Sequence, residues 1–216
     1  LGRTKPGRYP LWGWYYYRWW LAQRFMALTH MKWFQASPIM RLYLSALGAK
    51  IGDDAIISEM EVGAIDLVTI GAGASLGTKM KLANARVVGN ELIIGTIEIG
   101  ADAYVGTSCV IEENTVIGES AEIRDLTSIA AGARIGAHEI WDGSPARKLG
   151  VIDPADLDPP AEAGAGRRTM QTFAYTVLLL VIAPLGLLPI FPAFWVFDWM
   201  DSWLGILDRT LYLAAI

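Results

Sequence analysis

IGADAYVGTSCVIEENTVIGESAEIRDLTSIAAGARIGAHEIW, residues 99–141, carries a large apolar residue at every sixth position: Ile99, Val105, Ile111, Ile117, Ile123, Ile129, Ile135 and Trp141. Small residues recur four places after most of them, at Ala103, Cys109, Thr115, Ala121, Thr127 and Ala133. An earlier block has the same spacing, with Ile51 and Ile57, then Ile70, Leu76, Leu82, Val88 and Ile94. Two register breaks are expected, near Gly63 to Thr69 and between Ile94 and Ile99. A period of six matches neither the 3.6 of a helix nor the 2.0 of a plain strand. It fits short strands joined by tight corners, one hexad to each side of a prism. The aliphatic residue of each hexad then points inward and stacks on its counterpart about 4.8 Å along the axis. Glycines after the aliphatic positions relieve the corners. Because each coil buries its apolar edge only against its neighbours, several must stack. Residues 51–146 suffice for about five coils of roughly 18 residues. A sandwich would need turn signals every 8–12 residues, and a βαβ sheet intervening helical patterns. Neither is present.

The hexads, closed by Trp141-Asp142-Gly143-Ser144-Pro145-Ala146-Arg147, resemble the hexapeptide-repeat acyltransferase superfamily, which commonly ends its coil in Gly-x-Pro-Ala. That resemblance implies a mainly β fold, a left-handed parallel β-helix, assembly as a homotrimer and active sites in clefts between adjacent coils. A narrower resemblance rests on Arg41 to Gly52, on Asp66-Leu67-Val68-Thr69-Ile70-Gly71, and on the apolar segments on both sides. It is to the C-terminal region of the poly-lysine-synthetase type of nonribosomal peptide synthetase. There, sibling hexapeptide domains alternate with membrane helices and join carrier-bound aminoacyl thioesters, held on phosphopantetheine, to an amine. Three such domains in one chain would replace a homotrimer with an intrachain pseudo-trimer.

Charge divides the 216 residues into zones beneath a formal net charge of −4. Residues 1–50 hold eight Lys/Arg and no acidic residue, whereas 51–146 hold five against fifteen. A basic, aromatic front on an acidic body argues for a membrane surface and against nucleic acid. Tyr9 to Phe34 contains five Trp, four Tyr and two Phe, with Arg18, Arg24 and Lys32 interspersed. Trp and Tyr favour the membrane–water boundary, so an interfacial helix is expected, or one packed by its aromatic face on the coil. Phe173 to Phe197 is 25 residues without a charge, long enough to span a bilayer, though Pro184, Pro189 and Pro192 predict a kinked or broken span. Arg167 and Arg168 before it, with Asp198 and Asp201 after it, place the coil on the cytoplasmic side of an inner membrane. The expected organisation is a basic aromatic interface and lead-in at 1–50, the coil at 51–150, a linker at 151–170 and membrane segments at 171–216. The chain starts without Met or an apolar signal segment and ends inside an apolar run, Leu211 to Ile216, so a segment of a larger polypeptide is expected.

Chemistry is sparse. Acyltransferases of this superfamily rely on a His as general base, whose pKa suits proton abstraction, and the chain has only His30 and His138. His30 falls in the aromatic helix. His138 is the candidate catalytic base, the alternative being a simple corner residue at the coil's end. The synthetase resemblance implies a His in the loop after Leu76, where Gly77 to Arg86 has none. Lys79, Lys81, Asn84 and Arg86 are candidate substrate contacts there, or solvated polar groups. This copy is therefore either a catalytic domain or one that completes a pseudo-trimer while a sibling supplies the base. Trp141, Gly143, Ser144, Pro145 and Ala146 are candidates for contacting a phosphopantetheine arm, or merely end the coil. Asp66 and Asp102 would suit a lysine-like ammonium. An ordinary acetyl-CoA-dependent O- or N-acetyltransferase is the alternative reading. No metal site is expected, since a zinc carbonic anhydrase of this architecture needs three His. The single Cys109 occupies a small buried position and permits no intrachain disulfide.

Overall fold

A computed structural model describes residues 3–28, 37–153, 155, 165–185, 191–192, 194–196 and 198–199. The chain divides into two units, 1–172 and 173–216.

In the first unit, three parallel sheets form the sides of a coil. One contains Lys50–Ile51, Val68–Ile70, Ile97–Ile99, Thr115–Ile117 and Arg134–Ile135. The second contains Ile56–Ile57, Ser75–Leu76, Tyr104–Val105, Glu122–Ile123 and Glu139–Asp142, and the third Met60–Val62, Met80–Ala83, Val110–Glu112 and Ser128–Ile129. The chain visits them in the same order on every turn. The aliphatic hexad residues come into register: Ile51, Ile70, Ile99, Ile117 and Ile135 on one side, and Ile57, Leu76, Val105, Ile123 and Trp141 on the next. Nearly all are buried in one core, together with the small residues Ala103, Cys109 and Ala121.

The corners explain the rest of the hexad. The residue three after the aliphatic one adopts the left-handed conformation: Asp54, Gly73, Asp102, Ser120 and His138 form one such column. Its amides climb the coil, with Gly73 N donating to Asp53 O, Asp102 N to Ala72 O, Ser120 N to Ala101 O and His138 N to Glu119 O, all at 2.8–2.9 Å. The residue one after the aliphatic one is held by close approach instead. A Cβ on Gly71, Gly100 or Gly118 would stand 2.3, 2.6 or 2.5 Å from a backbone nitrogen of the next coil. Backbone cannot move aside there as a flexible side chain would.

One expectation is corrected. Val88 and Ile94 are not hexad positions. Ala85–Val88 and Glu91–Ile94 form an antiparallel hairpin joined by Gly89-Asn90, and Val88 is exposed. Gly89 has φ +59 and Asn90 lies outside the left-handed region, the sign pattern of a type II′ hairpin turn. The second register break is thus an insertion between the coils of Leu82 and Ile97. Strand Gly7–Pro10 adds to the hairpin along Glu91–Ile94. The apolar run is described only in part. Helix α3, Ala165–Leu185, begins inside the stretch read as linker and takes in Arg167, Arg168 and Gln171. Among the described residues no helix is long and apolar enough to cross a membrane. The rest of the expected span lies partly outside the described residues, as does most of the linker.

Helix α1, Trp14–Leu28, packs Tyr15, Tyr16 and Trp19 against Ala64, Leu92 and Ile94 at the hairpin. Gln23 Nε2 donates to Gly63 O. Helix α2, Pro38–Ala46, starts with Pro38 in its first turn after Ser37, extended as an N-cap. Its buried Met40 and Leu44 join the coil's core, and Arg41 pairs with Asp53 at 2.8 Å. The core is thereby covered beside its first coil.

Gly118→Ala is expected to lower stability by about 1–3 kcal/mol, the cost of forcing an atom into a filled site. Gly150→Ala, where no atom of the described residues lies within 4 Å, is expected to stay within about 0.5 kcal/mol of wild type. Denaturant titration of the two variants measures both.

Candidate functional site

The closing turn is assembled around Glu139. Its carboxylate accepts from Gly136 N at 3.0 Å and Trp141 Nε1 at 2.9 Å through Oε2, and from Lys148 Nζ at 2.6 Å through Oε1. Lys148 and then Trp141 hold the Glu139 carboxyl down to about 2. Trp141 also packs on the core. The strand Arg147–Val151 turns back antiparallel along Glu139–Asp142. Between them Gly143 N donates to Thr127 Oγ1, Ser128 N donates to Gly143 O, and Ala146 N donates to Ser128 O. Gly143 takes φ +94 and the Ser144–Pro145 bond is cis. The structure therefore brings Trp141 and Gly143 to Ala146 together, with the Gly143 and Ala146 amides engaged inside the chain.

His138 is the last member of the left-handed corner column. His and Asp/Asn are the non-glycine residues most tolerated there. Its amide donates to Glu119 O and its carbonyl accepts from Ile152 N. Its ring Nδ1 is buried and has no hydrogen-bond partner among the described residues. His30 lies outside the described residues.

The four candidate substrate contacts lie elsewhere. Lys79 is an exposed left-handed corner residue. Lys81 pairs with Glu61 of the preceding coil at 3.2 Å. Asn84 is fully buried, its Oδ1 accepting from Ala64 N and its Nδ2 donating to Ala64 O, each at 2.8 Å. Arg86 lies in the hairpin and pairs with Glu113 Oε1 at 2.8 Å and Glu112 at 3.8 Å. The Glu113 hydrogen bond raises the guanidinium pKa further. Lys81 is three strands below the closing turn on its sheet, about 14 Å at normal spacing. Within one chain the two sets form two places, not one.

Sequence reasoning passed over Glu113, which is buried while its Oε2 has no partner among the described residues. It also passed over Asn84 as a clamp. The signal for both was the Gly89-Asn90 turn, which marks the hairpin they anchor. Asp66 accepts from Thr4 N at 2.5 Å, and Asp102 is an exposed corner. Burial pushes the Cys109 thiol up, and its Sγ lies 3.1 Å from Arg124 O, which does not suit a thiolate nucleophile. Among the described residues no group of His, Cys, Asp and Glu side chains converges to hold a metal.

The chain is 43% identical over 196 residues to Delta-poly-L-ornithine synthetase of Acinetobacter baumannii (strain AB307-0294), a match that takes in 90% of this chain. It spans 15% of that synthetase's length. Among solved structures, a maltose O-acetyltransferase from Clostridium difficile 630 is 10% identical, with a TM-score of 0.49 over 68% of this chain and 94% of its own. A hexapeptide-repeat acetyltransferase from Vibrio cholerae, complexed with acetyl coenzyme A, is 23% identical, with a TM-score of 0.45 over 49% and 62%. No family model matches the chain.

Two outcomes follow. Asn84→Ala leaves the buried Ala64 N–H and C=O unpaired and is expected to cost about 2–4 kcal/mol, read by denaturant titration. The carboxyl of Glu139 is lower in the fold than its ordinary 4.5, so its contribution is full above that value and lost as pH falls towards about 2. Glu139→Gln is expected to remove about 1–3 kcal/mol at neutral pH, discounted for the exposed Lys148. It also flattens the acid limb of the stability curve between about pH 4.5 and 2, which acid titration of the unfolding midpoint checks.

Proposed function

We propose that this chain is an acyltransferase-like segment of a membrane-bound poly-amino-acid synthetase, and that this copy serves as scaffold while a sibling domain supplies the base. The observation that carries the reading is the 43% identity to a poly-ornithine synthetase along nearly the whole chain. In the reading, the winding is left-handed and a carrier domain brings an aminoacyl thioester on its phosphopantetheine arm. An amine attacks the thioester carbonyl, the amide bond forms, and the thiol leaves with the proton given up by the amine. The closing turn, Trp141 to Ala146, is the surface offered to the arm. Lys79, at an exposed corner, is the substrate contact of this copy, and Asn84 and Arg86 hold the hairpin beside it.

The scaffold role rests on His138. Its backbone completes a column that Asp102 and Ser120 complete just as well, and its buried Nδ1 has no partner among the described residues. Membrane tethering rests on α3, where Phe173, Leu178, Leu180 and Val181 are exposed. Such a surface asks for lipid or another apolar cover. The coil then faces the cytoplasm by the distribution of Arg167, Arg168, Asp198 and Asp201.

Mass spectrometry of the products of the intact synthetase, supplied with ATP and a diamino acid, tests the reading. A ladder of amide-linked oligomers is expected. Acetylated amine made from acetyl-CoA, without oligomers, would contradict it. His138→Ala in the same enzyme is expected to keep oligomer synthesis within about twofold, whereas losing a general base costs about a hundredfold or more.

A further inference from the structure

The structure assigns the two faces of α1 to different partners: we propose that one face clamps the hairpin, and the other is a docking surface for an anionic lipid headgroup layer. The inference rests on the membrane-tethered reading above and adds a second contact to it.

Tyr15, Tyr16, Trp19, Gln23 and Met26 all engage the first unit. At 3.6 residues per turn they fall on one side of the helix. Trp14, Tyr17, Trp20, Arg24 and Phe25 fall on the other, centred about 150° or more away. That second set is exposed, with Trp14 at 73%, Tyr17 at 49% and Phe25 at 60%, and Trp12 just before the helix at 88%. Its rings form a row, Trp14 to Tyr17 at 5.4 Å and Tyr17 to Trp20 at 6.4 Å, and Arg24 lies 5.3 Å over the Trp20 ring.

Lipid suits this face better than protein. A protein groove would desolvate the row, whereas Trp and Tyr gain most where the ring enters the headgroups and the polar edge stays wet. Charge complementarity points the same way. Residues 3–28 carry Arg3, Lys5, Arg8, Arg18 and Arg24 and no acidic residue, while the body below is acidic. Anionic headgroups attract the first and repel the second. The opposite face is fixed to the hairpin, so contact through this row would hold the coil in one orientation at the surface.

Nitroxide labels on Tyr17→Cys and Phe25→Cys, placed separately in the 216-residue chain, test the docking. The background is Cys109→Ala, since Ala already fills the equivalent hexad position at Ala103 and Ala121. A label on Lys79→Cys, at a coil corner, is the water-exposed control. With vesicles of phosphatidylcholine containing roughly a third phosphatidylglycerol, both α1 labels are expected to lose most of their collisions with an aqueous nickel complex. They should gain collisions with oxygen, and the control should do neither. The proposal is overturned if the chain floats with the vesicles while both labels stay as accessible as the control, and the tether reading then survives. A chain that does not float overturns both. Immobilisation without lipid, growing with protein concentration, would assign the face to a second copy and overturn the lipid assignment.

Discussion

Along one column of corners in the coil, backbone packs directly on backbone. Gly71, Gly100 and Gly118 sit where any Cβ would enter the next turn's peptide, and the corner amides of Asp102, Ser120 and His138 are satisfied by the turn below. Each corner of that column needs a left-handed residue and a neighbouring coil at one fixed height. The inward stacking of Ile99, Ile117 and Ile135 follows from that height, as does burial of the small residues between them. Helix α2 and the Glu139 clamp then finish the two ends of the stack, the first with Met40 and Leu44 and the second by tying Trp141 to Lys148.

The periodicity was legible because one buried aliphatic residue per side is a demand of the coil itself. Ile99 to Trp141 obeys it without exception. The hairpin escaped because Val88 and Ile94 happen to fall on the same spacing, although Val88 faces outward and Ile94 belongs to a second apolar cluster. Gly89-Asn90 was the signal that should have outweighed the count. Which aromatic residues of α1 are docked was beyond sequence reasoning for a linked reason: the helix is apolar on both sides, and its docking partner is that hairpin. Asn84 likewise looks like a loop polar group until the turn of chain at Ala64 is seen to need both its donor and its acceptor.

The candidate site was legible by composition and only partly by place. Trp141 and Gly143 to Ala146 do come together, because the closing strand Arg147–Val151 folds back over them. Lys81 and Arg86, open in the sequence to reading as substrate contacts or as solvated groups, each have an acidic partner instead. His138 stands out in the sequence as one of two histidines, but its column of Asp54, Gly73, Asp102 and Ser120 gives it a backbone reason to be there.

Amide hydrogen exchange across residues 97–152 tests the coil account most directly. Surface turns ordinarily exchange through small local openings, while amides bonded between coils open only with the cooperative unit. The amides of Asp102, Ser120 and His138 should therefore be as slow as those of Gly100 and Gly118, despite lying at corners on the surface. Rapid exchange at the three corners beside slow strands would contradict the stacked backbone on which the rest depends.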